Sequence, residues 1–571
     1  MAVIDDPLAQ EKVSMPPLVN EVQQFGGLSP KIAPHLLPNG GAQIANNARL
    51  YSGALRAWNF PTNISVGLRS GSIMSIFCYE EEYWLNWITD VDVVRSPIGG
   101  DMYKRIYWTG DVIPRMSVLG LVNQTAPYPT AYYQLGIPAP LLAPTVAMQG
   151  TAGQTQYREE RAYCYTYVSN YGEEGPPSPV SALVNYYSDQ NNPISVTGMS
   201  SAPTGNYYVT TINVYRTLTG STSTQYQFVE SIPVAQGPAG FTDTVLDSAL
   251  GLVLPSSTWD PPPSDLIGLI ALPCGALAGF HTNEVCFSEV YLPHAWPVEY
   301  RISFDRNIVA LGNWGTSILV MTDGYPFLVT GSAPGQFVYE KLEVGHACVS
   351  KRGVVDMGYG ILYPSPDGLI LAGTITLENV TKNIMTRDDW QKFNPSSIQA
   401  AYYNGLYFGF YDATSIGGIK GGFVFDPGIT NAAYTISSNP TFSMLDAYAT
   451  ACWRDVVTDS MYICVPNGAN SMLQQWDATT TPISYTWKSK PFYNPHPMNL
   501  GVAQILADDY SNVNIQVFAD GVSKYSGAVT SDDAFRLPSG FRAHRYEFEL
   551  TGTSNVNKAF LGDVMSSLAQ V

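Results

Sequence analysis

Chemistry in this 571-residue sequence would have to come from six histidines, seven cysteines and a few acidic pairs. The histidines are His35, His281, His294, His346, His496 and His544. They lie far apart, and none forms His-Glu-x-x-His or His-x-His, the spacings that place two imidazoles on one metal. No metal site and no cofactor site is expected from them. The cysteines, Cys78, Cys164, Cys274, Cys286, Cys348, Cys452 and Cys464, are odd in number, scattered, and never Cys-x-x-Cys. Most fall inside apolar strand-like runs. Buried reduced thiols are therefore expected, as in a chain folded in a reducing cytosol. The Gly-rich segments near the N-terminus contain neither G-x-x-x-x-G-K-[ST] nor G-x-G-x-x-G between strand and helix, so they are not read as phosphate loops.

Two acidic pairs, Asp388-Asp389 and Asp508-Asp509, have the residue types of a glycosidase acid and base. The first also reads as the opening turn of a short helix capped by Thr386, the second as a solvated loop. Asp508-Asp509-Tyr510-Ser511-Asn512 offers oxygen ligands but matches no EF-hand loop. Ser365-Pro366-Asp367-Gly368 has the turn of a sialidase Asp-box without its Thr-Trp end, and reads as an Asp-Gly hairpin turn. There is no G-x-S-x-G elbow. Glu80-Glu81-Glu82 reads as an exposed turn. No catalytic residue is assigned, and the expectation is a protein that is not an enzyme.

The elements that position these residues are short strands. Leu277 to Val290 reads as a hairpin turning at His281-Thr282-Asn283-Glu284. Ser317 to Thr330 turns at Asp323-Gly324, Gly360 to Ala372 at Ser365-Pro366-Asp367-Gly368, and Gln399 to Tyr411 at Asn404-Gly405. Asn-Gly and Asp-Gly between β-rich runs signal type I′ turns, which need positive φ at both central residues. Hairpins recurring about every 40 residues predict propeller blades. Four strand candidates between Ile73 and Thr109 have the size of one blade, and Pro114 to Pro144 reads as a semi-rigid linker. Tyr163, Tyr165 and Tyr167 alternate with Cys164, Thr166 and Val168 in a Ser/Thr-richer stretch, the period of a sandwich strand. With Gly172-Glu173-Glu174-Gly175-Pro176-Pro177-Ser178-Pro179 and Ile212-Asn213-Val214-Tyr215-Arg216, that stretch resembles fibronectin type III-like modules.

The expected fold is all-β: a β-propeller with an inserted fibronectin-III/Ig-like sandwich and a C-terminal β-sandwich of jelly-roll-like kind. The expected divisions are an N-terminal arm and Gly/Pro-rich opening segment over 1–70 and the first blade or blades with a linker over 71–140. The inserted sandwich follows over 141–258, the remaining blades over 259–489, and the C-terminal sandwich over 490–571. In the last, Tyr546-Glu547-Phe548-Glu549-Leu550 is expected to bury one face and leave its glutamates in water.

Lys and Arg number 29 against 47 Asp and Glu, a net charge of −18 with only 13% charged residues. Such a chain lacks the basic patches that hold a nucleic-acid backbone. The same acidity serves solubility or a passage to which phosphates must not stick. The 37 tyrosines on a charge-poor surface suit contact with other proteins. The first residues lack the basic and apolar regions of a signal peptide, and no run of about 18 apolar residues offers a membrane span.

The order of several motifs resembles one family. Phe25-Gly26-Gly27-Leu28-Ser29-Pro30, Leu37-Pro38, Gly41-Ala42, Asn46 to Arg49, Ser52-Gly53 and Leu55-Arg56 resemble the opening of tail nozzle proteins of short-tailed bacteriophages, the tail tubular protein B and packaged-DNA-stabilising families. Leu277-Ala278-Gly279-Phe280, Phe287-Ser288-Glu289, Pro293-His294-Ala295-Trp296-Pro297, Ile318 to Asp323 with Pro326, and Tyr363 to Gly368 are similar to phrases of the same proteins. Phe535 to Gly540 and Arg545-Tyr546-Glu547 continue the likeness. The inserted sandwich departs from the simplest members. The resemblance implies a virion protein forming a homohexameric ring at the distal end of the tail. Its implied partners are further copies of itself, the tail adaptor and portal proteins, and tail fibres or spikes. The ring would retain packaged DNA and let it pass on ejection without sequence-specific binding. Two other readings stay open. One is a receptor- or glycan-binding module whose Trp84, Trp87 and Trp108 stack on sugars; the other is a glycoside-acting propeller enzyme.

Overall fold

The computed structural model describes residues 19–150, 158–187, 192–219, 224–373, 377–428 and 440–568. The first 18 residues of the expected N-terminal arm lie outside them. The chain is all-β and builds a β-propeller with two sandwiches. Helix is confined to single turns, such as Arg387–Gln391, where the Thr386 side chain accepts from the Asp389 backbone N–H as its sequence predicts.

Seven sheets follow one another in a ring. Blade 1 has Ser75–Tyr79 and Tyr83–Trp87; blade 2 has Asp92–Arg95, Ile106–Thr109, Arg115–Ser117 and Tyr133–Gln134. Blades 3, 4 and 5 start at Ile267–Ala271, Ile308–Trp314 and Val355–Asp356, and each has four strands. Blade 6 runs from Gln399–Tyr403 to Thr441–Leu445. Blade 7 takes three strands from Ala451–Asp455, Ser460–Asn467 and Asn470–Gln475, and its fourth, Thr62–Ile64, from nearly the other end of the chain. That pairing closes the ring by joining early and late sequence.

Each pair of neighbouring blades buries a separate apolar seam. Trp87 packs on Trp108 between blades 1 and 2. Phe287 and Val320 share the seam of blades 3 and 4, and Leu362, Tyr407 and Phe423 that of blades 5 and 6. Trp84 and Cys464 meet between blades 7 and 1. A lone hairpin exposes one face, and stacking two sheets face to face covers it. The predicted turns lie where the sequence puts them, and Asn404 and Gly405 have φ of 52° and 80°, the left-handed pair of a type I′ turn, whereas neither Asp323 nor Gly324 has a positive φ and at Asp367-Gly368 only the glycine does.

The four strands between Ile73 and Thr109 do not make one blade. They divide between blades 1 and 2, because Tyr83–Trp87 pairs with Ser75–Tyr79 and Asp92–Arg95 pairs with Ile106–Thr109. The expected linker after Pro114 supplies both outer strands of blade 2.

The inserted sandwich has three-stranded sheets Thr145–Met148, Ile194–Thr197, Phe241–Asp243 and Tyr163–Ser169, Val209–Thr219, Thr224–Pro233, with Arg158–Arg161 paired to Val184–Tyr187. The C-terminal sandwich recruits the start of the described chain. Val19–Val22 pairs with Val556–Gly562, and Ala42–Asn46 with Tyr485–Ser489. Residues from 19 onward are thus sandwich strands, not an arm, and the last blade ends before Tyr485. Glu547 is buried rather than solvated, because Lys488 (3.2 Å) and Arg545 (3.5 Å) cover it.

Candidate functional site

Four charged groups meet at one end of the propeller, where the inner strands of several blades begin. The inner strands of the blades converge there, so short side chains from different blades come within reach. Lys351, just before blade 5, pairs with Asp92 of blade 2 and with Asp90 at 3.2 Å. Asp92 also accepts the Gly268 N–H of blade 3 at 3.0 Å. The neighbouring Arg352 donates to the Met74 carbonyl beside blade 1 at 2.8 Å, to Gln399 of blade 6 and to the Thr450 carbonyl before blade 7. Six blades are tied by two adjacent cations.

Burial works against the Lys351 charge, but the two carboxylates outweigh it and hold its pKa above the ordinary value. Burial pushes the Asp92 carboxyl up, against the pull of Lys351. The cluster borders a cavity of about 220 Å³ lined also by Ser75, Val354 and Cys452.

Two further polar joints connect the modules, and the first is charged. Arg105 of blade 2 binds Asp101 at 2.7 Å and reaches Glu173 of the inserted sandwich at 3.0 Å. Burial raises the Glu173 pKa, and Arg105 opposes it. Tyr133 stacks on Tyr208 at 5.0 Å and Tyr103 meets Tyr171 edge-on at 4.9 Å across the same joint. His294 completes it: the ring packs against Trp259 and hydrogen-bonds the Glu174 backbone. Burial, then Arg105, lowers its pKa to about 4, so the ring is neutral. At the second joint Leu28 N–H donates to Phe442 O of blade 6 (2.8 Å), Asn47 Nδ2 to Asp446 (2.7 Å) and Trp487 Nε1 to Gly26 O (3.0 Å).

The sequence candidates scatter over other places. Asp367 sits in its hairpin turn and pairs with Arg387 at 2.9 Å. Asp389 sits in the first turn of its helix, accepts from the Thr386 hydroxyl and pairs with Lys392 at 2.7 Å. Asp508 accepts from Asn555 and Asn557, while Asp509 accepts from Ser511 and Ser554, so both brace a loop. Glu81 and Glu82 are exposed in their turn, and Glu80 pairs with Arg95 and Lys104. Trp84, Trp87 and Trp108 are buried in blade seams, which removes them as sugar-stacking platforms. Five of the seven free cysteines are buried, and Cys274 and Cys452 are half-buried. The axial cluster escaped the sequence reading because its members are about 260 residues apart. The adjacent pair Lys351-Arg352, in a chain with so few cations, was the available signal.

The fold defines a β-propeller protein carrying two β-sandwiches. No protein-family model and no curated protein matches the chain. Among solved structures it is similar to exo-beta-1,3-galactanase from Phanerochaete chrysosporium, at 10% identity over 52% of this chain and 95% of that one, with a TM-score of 0.20. It is also similar to YCF48 from Cyanidioschyzon merolae, at 10% over 74% and 98%, with a TM-score of 0.23. Apo AztD from Citrobacter koseri matches at 11% over 69% and 99%, with a TM-score of 0.24. The blade assignment rests on this chain's own strand pairing. No helix among the described residues is long and apolar enough to cross a membrane.

Proposed function

We propose that this chain is a non-catalytic structural subunit of the tail nozzle ring of a short-tailed phage, bounding the DNA channel with further copies of itself. One observation carries the reading: Lys351 with Asp92 joins blades 5 and 2, and Arg105 with Glu173 joins blade 2 to the insert, so charged pairs brace joints between parts of the chain. Asn47 with Asp446 adds a polar contact between the C-terminal sandwich and blade 6. Breaking such a buried pair is strongly destabilising, so each pair holds its two parts in one relative position.

Two of the motifs that resemble nozzle proteins fall on the same joints. Gly26-Gly27 lies against blade 6, and Pro293-His294-Ala295-Trp296-Pro297 lies beside the insert. A DNA passage bounded by several copies would carry the chain's net charge of −18, which opposes phosphate binding. Cyclic rings use heterologous interfaces, and a Tyr-rich surface suits them. Electron microscopy of the purified chain, alone and mixed with its tail adaptor, tests the reading: rings support it, and monomers in both conditions contradict it. In the second case, glycan or receptor binding by the isolated chain becomes the reading to measure.

A further inference from the structure

We infer that the middle hairpin of blade 3 is a zinc site whose protein ligands are His281 Nε2, a Glu284 carboxylate oxygen and the Cys286 sulfur. The hairpin register makes the set. His281 lies directly opposite Glu284, so the two side chains leave the sheet on one side. Cys286 is two residues along the same strand and shares that face. The ligand atoms of all three lie within 4.8 Å of one another. A tetrahedral zinc with bonds of 2.0–2.3 Å needs ligand separations of about 3.3–3.8 Å. Closing that gap takes about 1 Å of side-chain rotation, and His281 and Glu284 are only half-buried.

The surroundings suit a metal. His281 Nε2 lies 3.1 Å from Glu284, while Nδ1 faces Asp265 at 3.7 Å on the other side of the ring. A carboxylate on the distal nitrogen holds a ligating imidazole in the right tautomer. Ser303 donates to the second Glu284 oxygen at 2.8 Å, leaving the first for the metal. Arg301 stands 3.9 Å from Glu284 and is the one cation among the named neighbours. With Cys286 as thiolate, the negative charges of Glu284, Asp265 and sulfur balance Zn2+ and Arg301. Nitrogen and sulfur ligands select zinc over calcium or magnesium. Zinc binding displaces the Cys286 thiol proton to solvent. The fourth position is left to water.

Cobalt titration of the metal-free full chain tests the site, because cobalt bound to thiolate absorbs through charge transfer in the near ultraviolet. The expected result is one Co2+ per chain with that band, bleached by equimolar Zn2+. Cys286→Ser should lose the band, and Asp265→Asn should keep it while weakening affinity about 10- to 100-fold. His281→Asn, at a half-exposed position, is the second variant should Cys286→Ser not fold, and it should also lose the band. Absence of stoichiometric cobalt binding, binding without the band, or a band that survives in these variants overturns the site.

Discussion

Arg105 of blade 2 and Glu173 of the inserted sandwich meet at 3.0 Å with side chains only 10% and 7% exposed. Removing one partner of a buried pair strands the other charge in protein, at a cost of about 3–5 kcal/mol. Glu173→Ala should therefore loosen the insert's joint and lower the melting temperature. Arg105→Met should cost more than Glu173→Ala, because it strands the buried carboxylates of both Asp101 and Glu173. Melting curves of the two variants check this.

His294 makes stability depend on pH. Its ring ordinarily titrates at 6.5 but is held neutral down to about 4 by burial and Arg105. Below 6.5 the unfolded chain takes up a proton that the folded chain refuses until about 4. The stabilisation is complete above 6.5 and falls as pH drops through that window, by up to about 3 kcal/mol. His346, also lowered by burial, acts in the same direction. Denaturant titrations at several pH values should show His294→Asn flattening most of the slope.

Inside the insert, Arg216 is fully buried between Asp243 and Asp247, and Tyr163 donates to Asp243 at 2.7 Å. Arg216→Met leaves Asp243 buried without its partner, again at about 3–5 kcal/mol. Hydrogen exchange should rise over Tyr163–Ser169 and Val209–Thr219 while blades 3 to 6 keep their protection.

Gly27 is needed for closeness rather than for a turn. A Cβ there would overlap the Phe442 backbone of blade 6. Gly27→Ala should push the C-terminal sandwich off the blade and cost about 2–3 kcal/mol. The same change at Gly405, where nothing lies within 4 Å but φ is 80°, should cost about 1 kcal/mol. Thermal melts of the two variants separate overlap from backbone strain.

What was legible in the sequence was local. The hairpin turn at Asn404-Gly405 and the Thr386 cap depend on a few adjacent residues, and both are where the sequence places them. Pairings across the chain were not legible: Thr62–Ile64 joins blade 7 through Gln475, and Ala42–Asn46 joins Tyr485–Ser489, because nothing within either strand names its partner. Glu547 looked solvent-facing by alternation, and its burial comes from Lys488 on the paired strand. His281, Glu284 and Cys286 stood in plain view, but their grouping depends on the turn between them rather than on any linear metal motif.

The central claim is a ring of identical subunits around a channel. The measurement that tests it most directly is the mass of the purified chain by light scattering, alone and on its tail adaptor, with electron microscopy of the same samples. The account predicts a six-fold ring with an open channel lined by acidic side chains, formed alone or on the adaptor. A chain that stays monomeric in both conditions would contradict it.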